Sequence, residues 1–202
     1  MEVIDLFPKT ITGGFLQNLK KDKASEIISY LNKKEIDQKG LNGGLTKDEQ
    51  LLDDIIFAEI KMEILRKAED FTKNCFGHVY EYLKLANSWA NTVSHSEGIP
   101  IHRHVNSYIS GVFYVTEGSP ITFYDIGDNM FSILPECLDV SKFPRSQSTF
   151  TIQPEPGLLV LFPSGLYHMV NQSYDDIVRY SIAFNIIPVG KIGSQTNIIN
   201  FS

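Results

Sequence analysis

Cysteine is scarce in this chain, with two residues in 202. Cys75 and Cys137 form neither a CxxC pair nor any other metal-binding spacing. Without a disulfide framework to staple it, the chain is expected in a reducing, cytoplasmic setting. Long apolar runs are missing too, and none approaches the roughly 20 residues needed to cross a bilayer. The start, MEVIDLFPKT, lacks the basic segment and apolar stretch of a secretory signal. Basic residues are outnumbered, 18 Lys and Arg against 24 Asp and Glu for a formal net charge of −6, which weighs against nucleic acid as the main partner. Internal repeats and low-complexity segments are also absent. What is present is an aromatic-rich composition, with 13 phenylalanines and 43% hydrophobic residues, enough to build one sizeable core.

The pattern along the chain divides near residue 78. Val3 to Ile11 suits an edge strand because Pro8 cannot donate to a ladder, and Gly13 and Gly14 then break it. A helical stretch follows, with Ile27, Ile28 and Leu31 on one face. Lys39 to Leu45 reads as a loop. Thr46 and Glu49 have the spacing of a capping box before a long amphipathic helix. The apolar stripe of that helix, Leu52, Ile56, Ile60, Ile64, Ala68 and Phe71, is expected to buttress a sheet.

From Tyr80 the period changes to two. Strands are expected over Tyr82–Ser94, Pro100–Val105, Ile109–Val115, Ile121–Tyr124, Thr149–Gln153, Leu158–Phe162, Tyr167–Gln172 and Ile177–Ile187, separated by turns such as Glu117–Pro120. Between the fourth and fifth lies Asp125–Ser148, long and aperiodic, with Pro135 and Pro144. Connections of that length often carry function. Phe131, Phe143 and Arg145 make it a candidate for substrate selection. Helices followed by many short strands predict an α+β chain that is mainly β, an antiparallel sandwich or barrel. One domain over 1–202 is expected, with 1–78 as mostly helical support and 79–190 as the β core.

Two stretches carry chemistry. In IHRHVNSYISGVFYV, residues 101–115, His102 and His104 are two apart at the mouth of a strand, so their rings share a face. Two imidazoles side by side form half of a metal site. On the strand Ile177–Asn185, alternation puts Arg179, Ser181, Ala183 and Asn185 on one face and Val178, Tyr180, Ile182 and Phe184 on the other. A guanidinium facing a cavity needs an anion, and carboxylates bind it bidentately. An acid from another strand would serve as well as a ligand. His168 lies between these stretches, after Pro163-Ser164-Gly165. Trp89 is expected in the core, and His78 and His95 at the surface or in turns.

The order His-x-His, a distal His, then Arg-x-Ser resembles the Fe(II)- and 2-oxoglutarate-dependent oxygenases. The pieces that carry the likeness are LFPKTI near the start, SWANT at 88–92, HRHVNSYISGVFYV at 102–115, GLLVLFPSGLYHMV at 157–170 and RYSIAFN at 179–185. It is most similar to a small group of oxygenases sharing the prolyl-hydroxylase arrangement. The resemblance implies a double-stranded β-helix (jelly roll) braced by N-terminal helices. It implies Fe(II) held by His102 and His168, and 2-oxoglutarate as co-substrate. Its third ligand is ordinarily the carboxylate of His-x-Asp or His-x-Glu. Here that position is His104, which is assigned as the third ligand, with Asp125 or a water as the alternative. Arg179 and Ser181 match the pair that holds the distal carboxylate of 2-oxoglutarate, with Tyr114 and Asn91 as further contacts.

The activity implied is oxidative decarboxylation of 2-oxoglutarate coupled to hydroxylation of a substrate. The sequence does not identify that substrate as small or macromolecular. A homo-oligomer through a sheet edge stays open. Two other readings of the same residues are a cupin-like three-histidine metalloprotein that does not use 2-oxoglutarate, and a catalytically silent jelly-roll binding protein.

Overall fold

The computed structural model describes residues 9–16, 21–38, 43–126, 142, 148–174 and 176–201. Twelve strands and two helices are found among them. β1 (Thr12–Phe15), α1 (Lys21–Leu31), β2 (Ile36–Gln38), β3 (Gly44–Thr46) and α2 (Ala58–Phe76) come first. The core strands follow: β4 (Tyr80–Val93), β5 (Ile99–His102), β6 (Ile109–Tyr114), β7 (Ile121–Tyr124), β8 (Thr149–Ile152), β9 (Leu158–Pro163), β10 (Tyr167–Val170) and β11 (Arg179–Ile192), with β12 (Ile199–Phe201) last. They make two sheets. The larger runs β1-β9-β6-β11-β4-β3-β2, with β12 on β11, and the smaller runs β5-β10-β7-β8. All of these ladders are antiparallel, as expected for a jelly roll.

Alternation along the strands builds two cores. Ile182, Phe184 and Ile186 of β11, Phe113 of β6 and Leu159 and Leu161 of β9 pack against Ile60, Ile64, Ala68 and Phe71 of α2 and Ile27 and Leu31 of α1. Their in-between neighbours face the other sheet: Val112, Tyr114, Leu158, Val160 and Phe162 meet Ile121 and Phe123. The larger sheet is therefore a partition, apolar toward the helices and mixed toward its partner sheet. Burying one such side chain fully contributes about 1.5–3 kcal/mol, so the α2 stripe holds this wall in place.

Several local expectations are corrected. Gly13 and Gly14 do not interrupt a strand; they lie inside β1, paired with Val160 and Leu159 of β9. Residues 3–8 of the expected edge strand lie outside the described residues. Thr46 caps no helix. It ends β3, and its hydroxyl accepts from the Ala90 amide at 2.9 Å. Two 3-10 turns, Leu51–Asp53 and Ile55–Phe57, precede α2, so Leu52 is buried from a turn rather than from the long helix. The three short strands β1–β3 were not anticipated as such. Pairing with β9 and β4 makes them strands, since segments of three or four residues carry too little period to be read alone.

Candidate active site

β10 lies at the centre of the site. His168 pairs across the ladder with His102 of β5 on one side and Phe123 of β7 on the other. β5 ends at His102, so His104 is not a strand residue; its amide donates to the Ser164 carbonyl at 2.9 Å. The alternation persists past the strand end, with Ile101 and Val105 exposed while His102 and His104 turn inward. Ring centroids are 4.3 Å apart for His102–His168, 5.1 Å for His104–His168 and 5.3 Å for His102–His104. One nitrogen from each ring lies within 4.8 Å of the others, and this trio is a potential metal-ligand group among the described residues.

The other ring nitrogens show which atoms converge. His102 Nδ1 meets the Pro100 carbonyl at 2.8 Å, His168 Nδ1 the Leu166 carbonyl at 2.9 Å, and His104 Nδ1 the Asn185 Oδ1 at 2.6 Å. Oxygens of this kind accept only, so each Nδ1 carries a proton, and in the neutral ring each Nε2 keeps its lone pair. That is the tautomer a metal takes. Burial reinforces it. Phe162 and Phe123 flank His168, with centroids at 4.7 Å and 5.9 Å. Removal from water pushes the His168 pKa down to about 3. Burial also lowers His104, partly offset by the hydrogen bond to Asn185. Both rings are thus neutral near pH 7 and need lose no proton to bind a cation. Asp125, the alternative third ligand, is at the surface in an ion pair with Lys9.

The second cluster lies on the larger sheet, on the face turned toward the smaller sheet that carries His102 and His168. Ser181 of β11 stands opposite Tyr114 of β6 and opposite Asn91 of β4, so the three form one row across adjacent strands. Arg179 is two residues before Ser181 and only 1% exposed, with its guanidinium carbon 5.0 Å from the centre of the Tyr114 ring. Buried polar atoms normally find partners. Here Arg179 Nε and Nη1, Ser181 Oγ, Tyr114 Oη and Asn91 Oδ1 have none. Burial raises the Tyr114 pKa, while the guanidinium pulls it back. A buried guanidinium beside unfilled hydroxyls fits a bound anion, since an uncompensated buried charge costs several kcal/mol. Asn91 fits only with its amide turned to present Nδ2, because its free oxygen would repel a carboxylate. On β11, Ser181 and Asn185 are four residues apart, roughly 13 Å of strand. Asn185, which holds His104, and the Arg179–Ser181 pair therefore lie on the same face of one strand, while His102 and His168 sit on the smaller sheet.

The seven predicted site residues fall in two clusters, the three histidines in one and Arg179, Ser181, Tyr114 and Asn91 in the other. The structure corrects Trp89, which is half-buried rather than core and stacks on His104 at 5.9 Å and 24°. Asn185 and Ser119 were missed. The polar-face pattern of β11 pointed to Asn185, whereas Ser119, a buried hydroxyl without a partner in the turn before β7, carried no sequence signal. His78 and His95 are exposed and take no part. Phe131, Phe143, Arg145 and Cys137 lie outside the described residues.

Comparison with known proteins agrees with this geometry. Residues 87–185 match the family model described as "Putative 2OG-Fe(II) oxygenase", a span from β4 to Asn185 that contains every residue of both clusters. Over that span, a little under half of its length, the chain is similar to the Fe(II)- and 2-oxoglutarate-dependent oxygenases. Among solved structures, a prolyl-4-hydroxylase from Pseudomonas putida aligns with TM-score 0.57 and 11% identity, covering 88% of this chain and 92% of that one. The viral collagen prolyl hydroxylase of Paramecium Bursaria Chlorella virus-1, in its 2-oxoglutarate complex, gives 0.58 and 12%, covering 89% and 96%. HygX from Streptomyces hygroscopicus, with nickel and 2-oxoglutarate bound, gives 0.58 and 12%, covering 89% and 83%. At such identity the likeness establishes the jelly-roll fold. No curated protein sequence matches the chain.

Proposed function

We propose that this protein is an Fe(II)- and 2-oxoglutarate-dependent oxygenase of the hydroxylating type, in which His102, His104 and His168 hold the metal and Arg179, Ser181, Tyr114 and Asn91 hold the co-substrate. The observation that carries it is Arg179, buried with two unpartnered nitrogens on the strand whose Asn185 holds His104. A three-histidine protein with no anionic co-substrate would have no use for that charge, and a silent jelly roll would have use for neither cluster.

Bound iron and 2-oxoglutarate supply the oxidising chemistry: oxygen is consumed, and succinate and carbon dioxide form as the substrate gains a hydroxyl. The chain's own residues orient and exclude. Arg179 and Ser181 fix the distal carboxylate, and Tyr114 offers its hydroxyl to the same end. Phe123 and Phe162 keep water from the inner side of the histidines. Three imidazoles bring no negative charge, so the cation's full charge is left for the anionic co-substrate to balance. Metal and co-substrate then bind more tightly together than apart.

No helix among the described residues is long and apolar enough to cross a membrane. The cysteine usage supports a cytoplasmic setting, and the acidic balance supports a substrate other than nucleic acid.

Anaerobic titration with Fe(II) and then 2-oxoglutarate tests the reading. A weak visible charge-transfer band should appear only when both are present. Iron binding without the band would remove 2-oxoglutarate from the proposal, and no iron binding would remove the metal site.

A further inference from the structure

His102 and His168 are held by backbone carbonyls two residues before them, Pro100 and Leu166. Local chain geometry thus fixes both rings. His104 is different. Its Nδ1 is met by a side chain 81 residues away, Asn185 of β11, at 2.6 Å. Asn185 is only 7% exposed and is itself held from several sides. Ser110 Oγ donates to the same Oδ1 at 2.7 Å, and Asn185 Nδ2 donates to Asn87 Oδ1 at 2.8 Å. Ser110 Oγ pairs with Ser164 Oγ at 2.8 Å, and Ser164 Oγ with Ser107 Oγ at 2.9 Å. Ser164 also takes the His104 amide on its carbonyl. One polar network therefore holds both the backbone and the ring of His104.

We infer that Asn185 is the positioning residue that makes His104 a metal ligand, by accepting its Nδ1 proton and so leaving Nε2 free toward His102 and His168. The inference rests on the metal site proposed above. A reversed amide would face its N–H at the ring and move the imidazole proton to Nε2, where a cation would be refused. The acceptor is neutral, so it selects the tautomer without adding negative charge to the site. At the one position where the chain lacks the usual carboxylate, ligand competence comes from a partner on another strand. Partners of this kind change metal affinity by about 10–100-fold when removed.

The test uses the full chain and Co(II), whose visible absorption reports ligand number and geometry. Asn185→Leu should weaken Co(II) binding about 10–100-fold and change the spectrum as His104 is lost. Asn185→Asp keeps an acceptor and should retain or tighten binding. Thermal melts show that each variant is folded. In the metal-free wild type, long-range proton–nitrogen NMR should find the His104 proton on Nδ1, a result that needs no variant. A proton on Nε2, or wild-type Co(II) affinity and spectrum in folded Asn185→Leu, would overturn the inference while leaving the metal site standing. Failure of the wild type to bind Co(II) at all would overturn the metal site and this inference with it.

Discussion

The Arg179 guanidinium carbon stands 5.0 Å from the centre of the Tyr114 ring, and both residues are sealed from solvent with polar atoms unpaired. A ring face offsets part of a buried cation's cost, but not the loss of its hydrogen bonds. Arg179→Met should therefore raise the melting temperature of the ligand-free protein, because it removes an uncompensated charge from a dry pocket. The same variant should lose the stabilisation that 2-oxoglutarate gives to the wild type and weaken its binding by about 2–5 kcal/mol. Calorimetry with and without 2-oxoglutarate reads both effects. A variant whose ligand-free form is less stable and whose 2-oxoglutarate affinity is unchanged would refute the assignment.

Gly118 sets the position of Arg179 from the turn after β6. Its φ is +136°, and a Cβ added there would meet Arg179 Cβ at 2.8 Å. Gly118→Ala forces a residue into a conformation that L side chains rarely adopt, while pushing the arginine stem aside. The expected cost is about 1–3 kcal/mol of stability, accompanied by weaker 2-oxoglutarate binding. Chemical denaturation and a binding titration check the two together. Gly165, whose Cβ would meet nothing within 4 Å, serves as the control substitution.

Acid should destabilise the metal-free protein through His168. Its folded pKa is depressed to about 3, against an ordinary value of 6.5. Between those limits the unfolded chain binds a proton that the folded one refuses. Stability therefore rises with pH across this window and falls as acid is added. His168→Phe removes the titrating group amid aromatic neighbours and should flatten the slope of stability between pH 6.5 and 4. Denaturant midpoints measured across that range decide it.

The sole tryptophan gives a direct reading of metal entry. Trp89 stacks on His104 with ring centroids 5.9 Å apart. Co(II) or Fe(II) bound to that imidazole should quench its emission, and chelation with EDTA should restore it. Adding 2-oxoglutarate should shift the quenching curve to lower metal concentration, since the anion balances a cation held by three neutral rings. A curve unmoved by 2-oxoglutarate would contradict that coupling.

Much of this was legible in the chain because the strands are long enough to show their period. β11 declares its two faces in RYSIAFN: Ile182 and Phe184 pack toward the helices, while Arg179, Ser181 and Asn185 are buried on the opposite face. Local sequence misled where pairing outweighed it. Thr46 and Glu49 have the form of a helix cap, yet Thr46 is drawn into β3 by β2 and β4. Trp89 has the composition of a core residue, yet β4 turns it toward His104 because it shares a face with Asn91.

By itself the sequence determined the class of fold and the pairing of His102 with His104 from residue type and spacing, while the resemblance to a known family singled out His168 and Arg179. Only the tertiary structure decided what becomes of His104. β5 ends before it, its backbone is held by Ser164 and its ring by Asn185, 81 residues further along the chain. A motif can state that an imidazole is present. Which of its nitrogens is free depends on a hydrogen bond, and that bond exists only once β11 lies beside β6 and carries Asn185 to the ring.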